Sequence, residues 1–547
     1  MAPPTRRAET RPGVRRAYVE TYGCQMNISD GEIMQGVLAA GGFELVDRAE
    51  DADVILVNTC AIREHAERRV LGRVGQLNRH KKDRPDVVLG VTGCMAQRMG
   101  AELLERAPYV DLVLGPDAYR GLASAIRRVR PAWKDVGSAG SGRTGTGGPA
   151  PGPAGVAEGD QAGDAGDGGG DPAGGASAPR AGRMALPVLD RPATSGAGWS
   201  ERMGTRFRPE LAAATESAVV AGGDGAERLA LLDFGPHEDY EGLEARRQGG
   251  ATAWVPVQRG CNYRCTYCIV PYVRGPEKNR SADRILAEVR RLAGDGVSEV
   301  TLLGQTVNSY RNGDWDFPRL LRAVARVDGI RRVRFTSPHP SDVTEDLVDV
   351  IATEPAVCEQ LHLPLQAGHD RTLKRMLRRY TVEEYLGKVA LVRGAVPGVA
   401  LSTDVIVAFP GESEAEYRAT VDLLREVRFD DAFLYRYSPR EGTPATRMDP
   451  TTFVADEVAA ARLADLIDIQ RSIQADIARG ELGRVEEVLV ERPARSDGDM
   501  LGRTRRAKVV AFPAPPERAG DYVPVRLLST TGATFRGEEV RAGASQS

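Results

Sequence analysis

Residues 254–268 read WVPVQRGCNYRCTYC, an apolar strand followed at once by three cysteines, Cys261, Cys265 and Cys268. A structural zinc site has four ligands, and no further Cys or His stands nearby in the sequence to complete one. A four-iron cluster held by three thiolates instead keeps one iron open for a second ligand. The spacing therefore favours such a cluster over zinc, its main rival, and over cysteines that merely pack in a core.

The strand before this run is the first of six that alternate with helices. Strands are predicted near Trp254–Gln258, Glu299–Leu303, Arg332–Thr336, Glu359–Leu363, Ala400–Phe409 and Ala432–Tyr437. Helical periods separate them, notably at Ala282–Ala293, Thr381–Val392 and Glu414–Val427. This alternation predicts an open (β/α)6 partial barrel with its site at the carboxyl ends of the strands.

A similar alternation occupies the start of the chain. Strands are predicted at Arg16–Tyr22, Asp53–Asn58, Asp86–Thr92 and Val110–Leu114, and helices at Ser29–Ala40, Ile62–Lys81 and Ala96–Glu105. This pattern predicts a doubly wound α/β domain with a parallel sheet. Cys24, Cys60 and Cys94 follow its first three strands. An isolated cysteine in such a place is usually a small buried residue, but three at one edge of a sheet favour ligation of a cluster.

The rest of the chain divides into a spacer and a small terminal module. Gly, Ala and Pro make up 27 of the 40 residues from 141 to 180, a composition that cannot form a core, and 184–230 has no clear period. We expect 137–230 to be a largely disordered linker. After a helix at Val454–Ile477, short strands such as Val485–Val490 and Lys508–Phe512 predict a small β-barrel. The seventh cysteine, Cys358, has no partner spacing and is predicted to be core.

Composition excludes some classes of protein. With 547 residues, 41% hydrophobic and 27% charged, the chain is too long for one core and too balanced for a fibrous or wholly disordered protein. It has neither a run long enough for a membrane helix nor an apolar signal core, so a cytoplasmic location is expected. A net charge of -3 gives no overall attraction to nucleic acid. Sparse, clustered thiols in a reducing compartment indicate metal or redox chemistry.

The C-x-x-x-C-x-x-C run, with an aromatic residue before its last Cys, resembles the radical S-adenosylmethionine superfamily, whose open iron binds the cofactor's amino and carboxylate groups. With TYGCQMN at 21–27, NTCAIRE at 58–64 and GCMAQ at 93–97, the chain is similar to the methylthiotransferases of that superfamily. LGQTVNSY at 303–310, FTSPHP at 335–340 and LPLQAG at 363–368 add to the likeness. Thr306, where the family commonly has Asn, and Ala408, where it commonly has Gly, depart from the pattern.

The resemblance implies a domain order: a methylthiotransferase domain at 1–136, the insertion at 137–230, a radical S-adenosylmethionine domain at 231–477 and a TRAM-like RNA-binding domain at 478–547. LGRTR at 501–505 and TFRGE at 534–538 resemble the TRAM domain. Two basic groups occur, each typical of a solvated face. They are Arg371, Lys374, Arg375, Arg378 and Arg379 in one, and Arg503, Arg505, Arg506 and Lys508 in the other.

The resemblance also implies the reaction. A methylthio group replaces the hydrogen at carbon 2 of isopentenylated adenosine next to the anticodon of tRNA, a C–H bond too weakly acidic for acid–base chemistry. A [4Fe-4S] cluster at Cys261, Cys265 and Cys268 reduces S-adenosylmethionine to give a deoxyadenosyl radical. A second [4Fe-4S] cluster at Cys24, Cys60 and Cys94 carries the sulfur. The enzyme is expected to be a monomer without a membrane, supplied with electrons by a flavodoxin- or ferredoxin-like protein.

Five polar residues at or near strand ends of the barrel are candidates for binding S-adenosylmethionine: Gln305, Asn308, Ser337, Thr403 and Asp404. Each is equally typical of a turn or cap, and His339 and His362 receive no role.

Three alternatives stay open. Within the same chemistry, relatives act on threonylcarbamoyl-adenosine in tRNA or on a ribosomal-protein aspartate, although CQMN at 24–27 favours the isopentenyl branch. In another class, a non-catalytic iron–sulfur scaffold could bind RNA.

Overall fold

The computed structural model describes residues 14–61, 64–133, 217–221, 227–235, 238, 240–247, 249–496 and 498–540. It divides into two compact units. The described residues of the first unit are those up to 247 together with 269–278, and those of the second are 249–268 and 279–540. The Gly-rich stretch from 141 to 180, for which we predict a linker, lies outside the described residues.

Within the described residues, the first unit holds a seven-stranded sheet with helices on both faces. Its strands are β1 (Arg16–Thr21), β2 (Glu44–Leu45), β3 (Val54–Thr59), β4 (Val88–Gly93), β5 (Leu112–Leu114), β6 (Ala218–Ala221) and β7 (Glu227–Leu231). They lie in the order β2-β1-β3-β4-β5-β7-β6, and only β6 runs antiparallel to its neighbour. The helices are Gln25–Ala40, Glu64–Asp83, Cys94–Met99, Glu102–Arg106, Leu122–Val129 and Val270–Arg274. The predicted doubly wound fold is confirmed.

Two cores hold this sheet in place. All six residues of β3 and all six of β4 are buried, as expected for central parallel strands covered on both faces. Ile33, Met34 and Leu38 cover one face, while Val70 and Val74 cover the other. The apolar runs of the sequence thus fix the strands whose ends carry Cys60 and Cys94.

Two predicted boundaries are wrong. Strands β6 and β7 fall within 137–230, which we expected to be linker, and residues 231–247 belong to the first unit, where Tyr240 packs in a core. Both strands are short, and β7 pairs with β5, a strand formed far earlier in the chain, while β6 pairs with β7, so no local period marks them. The single helix predicted at Ala96–Glu105 is two helices, because Gly100 takes a φ of +59° and ends the first.

The second unit begins with an open layer of parallel strands. Six strands make up this layer: β8 (Thr252–Pro256), β11 (Glu299–Leu303), β14 (Arg332–Phe335), β15 (Gln360–His362), β16 (Ala400–Val407) and β17 (Asp431–Arg436). Four short strands pair outside it: β9 (Gln258–Arg259) with β10 (Lys278–Asn279), and β12 (Arg311–Asn312) with β13 (Trp315–Asp316). Strands β8, β11 and β14 form one parallel sheet and β15, β16 and β17 another. A bridge between Val333 and Val357 joins them.

Helices alternate with these strands as the sequence predicts. They are Ala282–Gly294, Phe317–Ala325, Glu345–Thr353, Asp370–Arg375, Val382–Ala395 and Glu414–Val427. Thr381 and Ser413 begin two of them with capping boxes, in which each hydroxyl and a glutamate three residues later satisfy exposed backbone N–H groups. The six predicted barrel strands and the open (β/α)6 architecture are confirmed.

A helix, Asp456–Arg479, leads into a closed five-stranded barrel. The barrel strands are β18 (Val485–Pro493), β19 (Asp499–Thr504), β20 (Val509–Pro513), β21 (Tyr522–Thr530) and β22 (Thr534–Glu539), arranged β18-β19-β20-β22-β21. Val488, Val510, Phe512 and Phe535 fill its centre. The predicted small β-barrel is confirmed. In the parts of the chain that the structure describes, no helix combines the length and apolar character needed to span a membrane.

Buried arginines of β14 attach this barrel to the parallel strands. Arg332 donates to the carbonyl oxygens of Arg503 (2.8 Å) and Glu487 (2.7 Å), and Arg334 donates to those of Thr504 and Arg505 (both 2.8 Å). The carboxylate of Glu299, also buried, accepts from Arg334 at 3.1 Å. These charge-assisted hydrogen bonds attach the barrel to the parallel strands.

The basic group that follows β19 takes part in the same attachment. Its pairs are Arg503 with Glu491, Arg505 with Glu359, Arg506 with Glu481 and Lys508 with Asp430. Glu359 and Asp430 flank strands of the parallel layer, so two of the pairs join the two parts of the unit. The expectation of a solvated face at these residues is wrong, because acidic partners come from distant segments of the chain.

We expect Arg334→Met to destabilise the second unit by about 3–5 kcal/mol. The substitution breaks a buried pair with Glu299, which keeps only Arg332 at 3.8 Å, and it leaves the carbonyl oxygens of Thr504 and Arg505 without this donor. Arg331, three residues away, forms an exposed ion pair with Glu487, so Arg331→Met is the control and is expected to cost about 1 kcal/mol or less. Equilibrium unfolding in denaturant measures both. Equal losses in the two variants would contradict the role of the buried pair.

Candidate active site

Three thiols lie at the carboxyl ends of neighbouring strands in the first unit. Cys24 follows β1 and caps the helix Gln25–Ala40, while Cys60 and Cys94 directly follow β3 and β4. Because β1, β3 and β4 are adjacent and in register, these loops emerge side by side. A Cβ built on Gly23 would lie 2.6 Å from that of Cys60, so only glycine allows this close approach. The structure thus brings the predicted trio to one edge of the sheet.

The environments of these thiols differ. A hydrogen bond from the Cys60 thiol holds the pKa of Cys24 below its usual value, and the Arg274 guanidinium lowers that pKa further. Burial raises the pKa of Cys94 to about 11, although Arg274 opposes this effect. The thiol and arginine donors therefore favour the thiolate of Cys24, the form that binds metal, whereas burial favours the protonated thiol of Cys94.

Buried polar side chains hold the three loops together. Asn27 donates to the carbonyl oxygen of Thr59 at 2.8 Å, and Asn58 donates back to the carbonyl oxygen of Asn27 at 2.7 Å. The hydroxyl of Thr59 donates to the carbonyl oxygen of Thr92 at 2.6 Å. We call these hydrogen-bonded side chains, Asn27, Asn58 and Thr59, the polar frame of the site. The sequence contains a signal for it, since polar residues end the otherwise apolar strand β3, but Asn27 and Asn58 were assigned no role from the sequence.

One buried cation also reaches this site. Arg274, at the end of the helix Val270–Arg274, donates from Nε to the Sγ of Cys94 at 3.1 Å and from Nη2 to the carboxylate of Asp30 at 2.6 Å. Sequence analysis missed both residues. Cys94 and Arg274 are 180 positions apart, and no local pattern links residues at that separation.

The second predicted trio lies in the loop after β8 and β9. Cys261, Cys265 and Cys268 are each 1% exposed. The Sγ of Cys261 lies 3.1 Å from the hydroxyl oxygen of Thr306, and Nη1 of the buried Arg378 lies 3.9 Å from the Sγ of Cys265. The family departure at Thr306 is therefore a direct neighbour of a proposed ligand, and Arg378 is not part of a solvated face as we expected.

Aromatic side chains enclose the same loop. Tyr263 stacks on His339 with ring centroids 4.1 Å apart and donates a hydrogen bond to Asp342. Burial lowers the pKa of His339 well below its usual value, so this ring is neutral. Tyr267 packs edge-on against Phe409. The loop is thus fixed on both sides and shielded from water.

Both trios suit the chemistry of an iron–sulfur cluster, which takes thiolates in buried surroundings with hydrogen-bond donors to sulfur. Among the described residues, no group of three or more His, Cys, Asp or Glu side chains is arranged to hold a single metal ion. A four-iron cluster needs no such group, because each of its thiolates binds a different iron atom. Cys358 is buried, as predicted, and belongs to neither trio.

The five residues predicted to bind S-adenosylmethionine occupy different surroundings. Asn308 accepts from the backbone N–H of His339 and donates to its carbonyl oxygen, and the Thr403 hydroxyl lies between backbone groups of Leu363 and Leu365. Asp404 lies 3.1 Å from His362. The remaining two are Gln305, whose Oε1 is buried without a hydrogen-bond partner among the described residues, and Ser337, which takes a φ of +57°. Their binding role stays a prediction.

Sequence analysis also missed Gln366. Its side chain is fully buried, its amide has no hydrogen-bond partner among the described residues, and its φ is +71°. A strained residue with an unsatisfied buried amide marks a site that needs explanation. Its place in LPLQAG, a family-like run, was the available signal.

Models of known families match three parts of the chain. Residues 16–115 match Uncharacterized protein family UPF0004, residues 255–424 match the Radical SAM superfamily, and residues 479–540 match the TRAM domain.

Curated relatives match nearly the whole chain. A tRNA-2-methylthio-N(6)-dimethylallyladenosine synthase from Chlorobium luteolum is 38% identical, covering 96% of this chain and 97% of the relative. One of the same name from Carboxydothermus hydrogenoformans is 35% identical, covering 96% and 98%. Among solved structures, the radical S-adenosylmethionine methyltransferase TsrM from Kitasatospora setae is 14% identical, covers 79% of this chain and 74% of its own, and gives a TM-score of 0.48.

Two parallel-strand domains with thiols at their strand ends, followed by a small barrel, define a radical S-adenosylmethionine protein with a TRAM domain. Membership of that superfamily implies S-adenosylmethionine and a [4Fe-4S] cluster. With this identity over nearly its whole length, the chain belongs to the family of tRNA-2-methylthio-N(6)-dimethylallyladenosine synthases. The predicted family is confirmed.

We expect Ala408→Gly to leave stability unchanged or to raise it by up to about 1 kcal/mol. Ala408 takes a φ of +59°, a conformation that costs a residue with a Cβ about 1–2 kcal/mol, while glycine loses up to about 1 kcal/mol more entropy on folding. Ala390, exposed in the helix Val382–Ala395, is the control, and Ala390→Gly should cost about 1 kcal/mol. Thermal unfolding compares the two, and a similar loss in both would refute the strain at Ala408.

Proposed function

We propose that this chain catalyses radical methylthiolation of tRNA, converting C–H to C–SCH3 at carbon 2 of N6-isopentenyladenosine next to the anticodon. S-adenosylmethionine is both methyl donor and radical source. The observation that carries the proposal is the presence of two cysteine trios, one in each unit. The first follows three adjacent parallel strands, and the second lies in the loop after β8 and β9. The printed names of relatives such as that from Chlorobium luteolum support the choice of substrate.

The two sites divide the chemistry. When bound, a cluster at Cys261, Cys265 and Cys268 supplies the electron that cleaves S-adenosylmethionine, and one at Cys24, Cys60 and Cys94 supplies the sulfur. The chain itself holds the first trio on three adjacent loops and the second within one loop, and it buries all of these cysteines except the half-buried Cys24.

The cofactor-binding residues are Gln305, Asn308, Ser337, Thr403 and Asp404. In this proposal the polar groups of all five contribute to the cofactor site, and Asn308 and Thr403 also fix the backbone of neighbouring loops. The enzyme works as a cytoplasmic monomer, away from membranes, on tRNA that already bears the isopentenyl group. A flavodoxin- or ferredoxin-like protein supplies its electrons.

Replacing Cys261, Cys265 and Cys268 together by Ala should abolish deoxyadenosine formation and leave about half of the iron, from about eight to about four per chain if each trio holds a four-iron cluster. Iron analysis and chromatography of the anaerobic reaction measure both. Cys358→Ala, which removes a buried cysteine outside both trios, is the control and should keep full iron and activity. Deoxyadenosine formation by the triple variant would disprove the assignment.

Replacing Cys24, Cys60 and Cys94 together by Ala should spare deoxyadenosine formation but remove the methylthiolated nucleoside. Those thiols belong to the other unit, and no role in cleaving S-adenosylmethionine is proposed for them. Both products can be measured by mass spectrometry in one reaction, again with Cys358→Ala as the control. Methylthio product at the wild-type rate would mean that the sulfur comes from elsewhere.

A further inference from the structure

Arg274 is a buried cation of the first unit that lies in contact with Cys94. It ends a five-residue helix, Val270–Arg274, which begins two positions after Cys268 and packs in the first unit. Ile269 and Val273 of this segment join Cys94 and Ala61 in an apolar cluster. The segment therefore places the Arg274 guanidinium beside the trio of Cys24, Cys60 and Cys94.

The guanidinium is held firmly in one orientation. Its Nη2 donates to Asp30 at 2.6 Å, and Asp30, itself 1% exposed, also accepts from the hydroxyl of Tyr240 at 3.1 Å. Nη2 lies 3.5 Å from Oδ1 of Asn27, part of the polar frame. With these contacts in place, Nε points at the Sγ of Cys94 at 3.1 Å.

One donor of this side chain is left over. Arg274 is 2% exposed, and its Nη1 has no hydrogen-bond partner among the described residues. Buried N–H groups of a guanidinium are almost always paired, since an unmade hydrogen bond there is costly. An acceptor on a group bound at this site would satisfy it.

Two roles fit a buried arginine in this position. It could serve only as the cation that Asp30 needs, in which case its approach to sulfur would be incidental. Alternatively, its main role could be to donate hydrogen bonds to sulfur at this site, with Asp30 fixing the orientation of the guanidinium. The direct Nε contact to Cys94 and the unused Nη1 favour the second role, because an ion pair with Asp30 requires neither.

We propose that Arg274 is the positioning residue of the sulfur-bearing site in the first unit. Nε–H donates to the Cys94 thiolate and Nη1–H to a second anionic sulfur, that of an iron–sulfur cluster or of a sulfide bound to it. This inference rests on the second cluster of the proposed function. Hydrogen bonds to sulfur and nearby positive charge raise the reduction potential of a cluster, so loss of Arg274 should lower it.

The test uses the full chain with Cys261, Cys265 and Cys268 replaced by Ala, so that only the first-unit cluster gives a signal. In this background we compare R274Q, the double variant D30N/R274Q, and K278Q. Lys278 lies in the same segment and forms a buried pair with Asp117 at 2.7 Å, so K278Q also removes a buried cation but none near sulfur. Iron content and an anaerobic redox titration followed by electron paramagnetic resonance are the readouts.

We expect R274Q and D30N/R274Q to shift the potential to more negative values, and K278Q to leave it unchanged. With the barrel cysteines restored, the methylthio product formed per deoxyadenosine should fall about tenfold or more in the double variant, as for other residues that orient metal ligands. R274Q alone leaves Asp30 buried without its cation. The double variant removes both charges and so separates a structural role from a role at sulfur.

A double variant with the potential, iron and product ratio of the parent would overturn the proposal and leave Arg274 as the partner of Asp30 alone. If far-UV circular dichroism shows that the double variant has lost its fold, R274K replaces it. This variant keeps a cation opposite Asp30 but lacks the forked donors, so it should show a smaller shift in the same, more negative direction. Absence of any cluster in the parent background would instead contradict the proposed function, a result distinct from failure of this inference.

Discussion

Thiols far apart in the sequence can bind one cluster only if the backbone delivers them to one place, and in the first unit parallel strand pairing does this. Thr21 pairs with Asn58, and Thr59 pairs with Gly93, so the chain leaves β1, β3 and β4 at nearly the same level. Since the strands are buried on both faces, a slip in register would move apolar side chains out of both cores. The packing of the sheet thereby fixes the spacing of Cys24, Cys60 and Cys94.

Burying sulfur ligands creates a second requirement, because anionic groups in an apolar interior need nearby donors. Each trio has one buried arginine beside it: Arg274 next to Cys94, and Arg378 next to Cys265. Arg378 is held by the carbonyl oxygen of Pro364 and the hydroxyl of Tyr380, whereas Arg274 is held by a carboxylate. In both units a buried arginine provides a positive charge beside the thiols, but neutral groups hold Arg378 in place whereas a carboxylate holds Arg274.

The features that could be predicted from the sequence are those set by local pattern. Runs such as Val54–Thr59 and Ala400–Val407 predicted strands, and the C-x-x-x-C-x-x-C spacing predicted a ligand loop, because period and spacing are visible within a few residues. Strand β7 was missed because it pairs with β5, more than a hundred positions earlier, and β6 was missed because it in turn depends on β7. Arg274 and Asp30 were missed for the same reason, since a buried pair between distant segments leaves no periodic trace.

Long-range pairing also changes what the charges of this chain can do. In the sequence, Arg503, Arg505, Arg506 and Lys508 form a basic group typical of a solvated face, yet each has an acidic partner within the protein. Together with Arg332 and Arg334, they hold the C-terminal barrel on the parallel strands. The barrel and the thiol loop at Cys261–Cys268 therefore belong to one unit, in which ion pairs and buried hydrogen bonds add to the covalent connection. A large substrate that contacted both would be positioned by this attachment of the barrel.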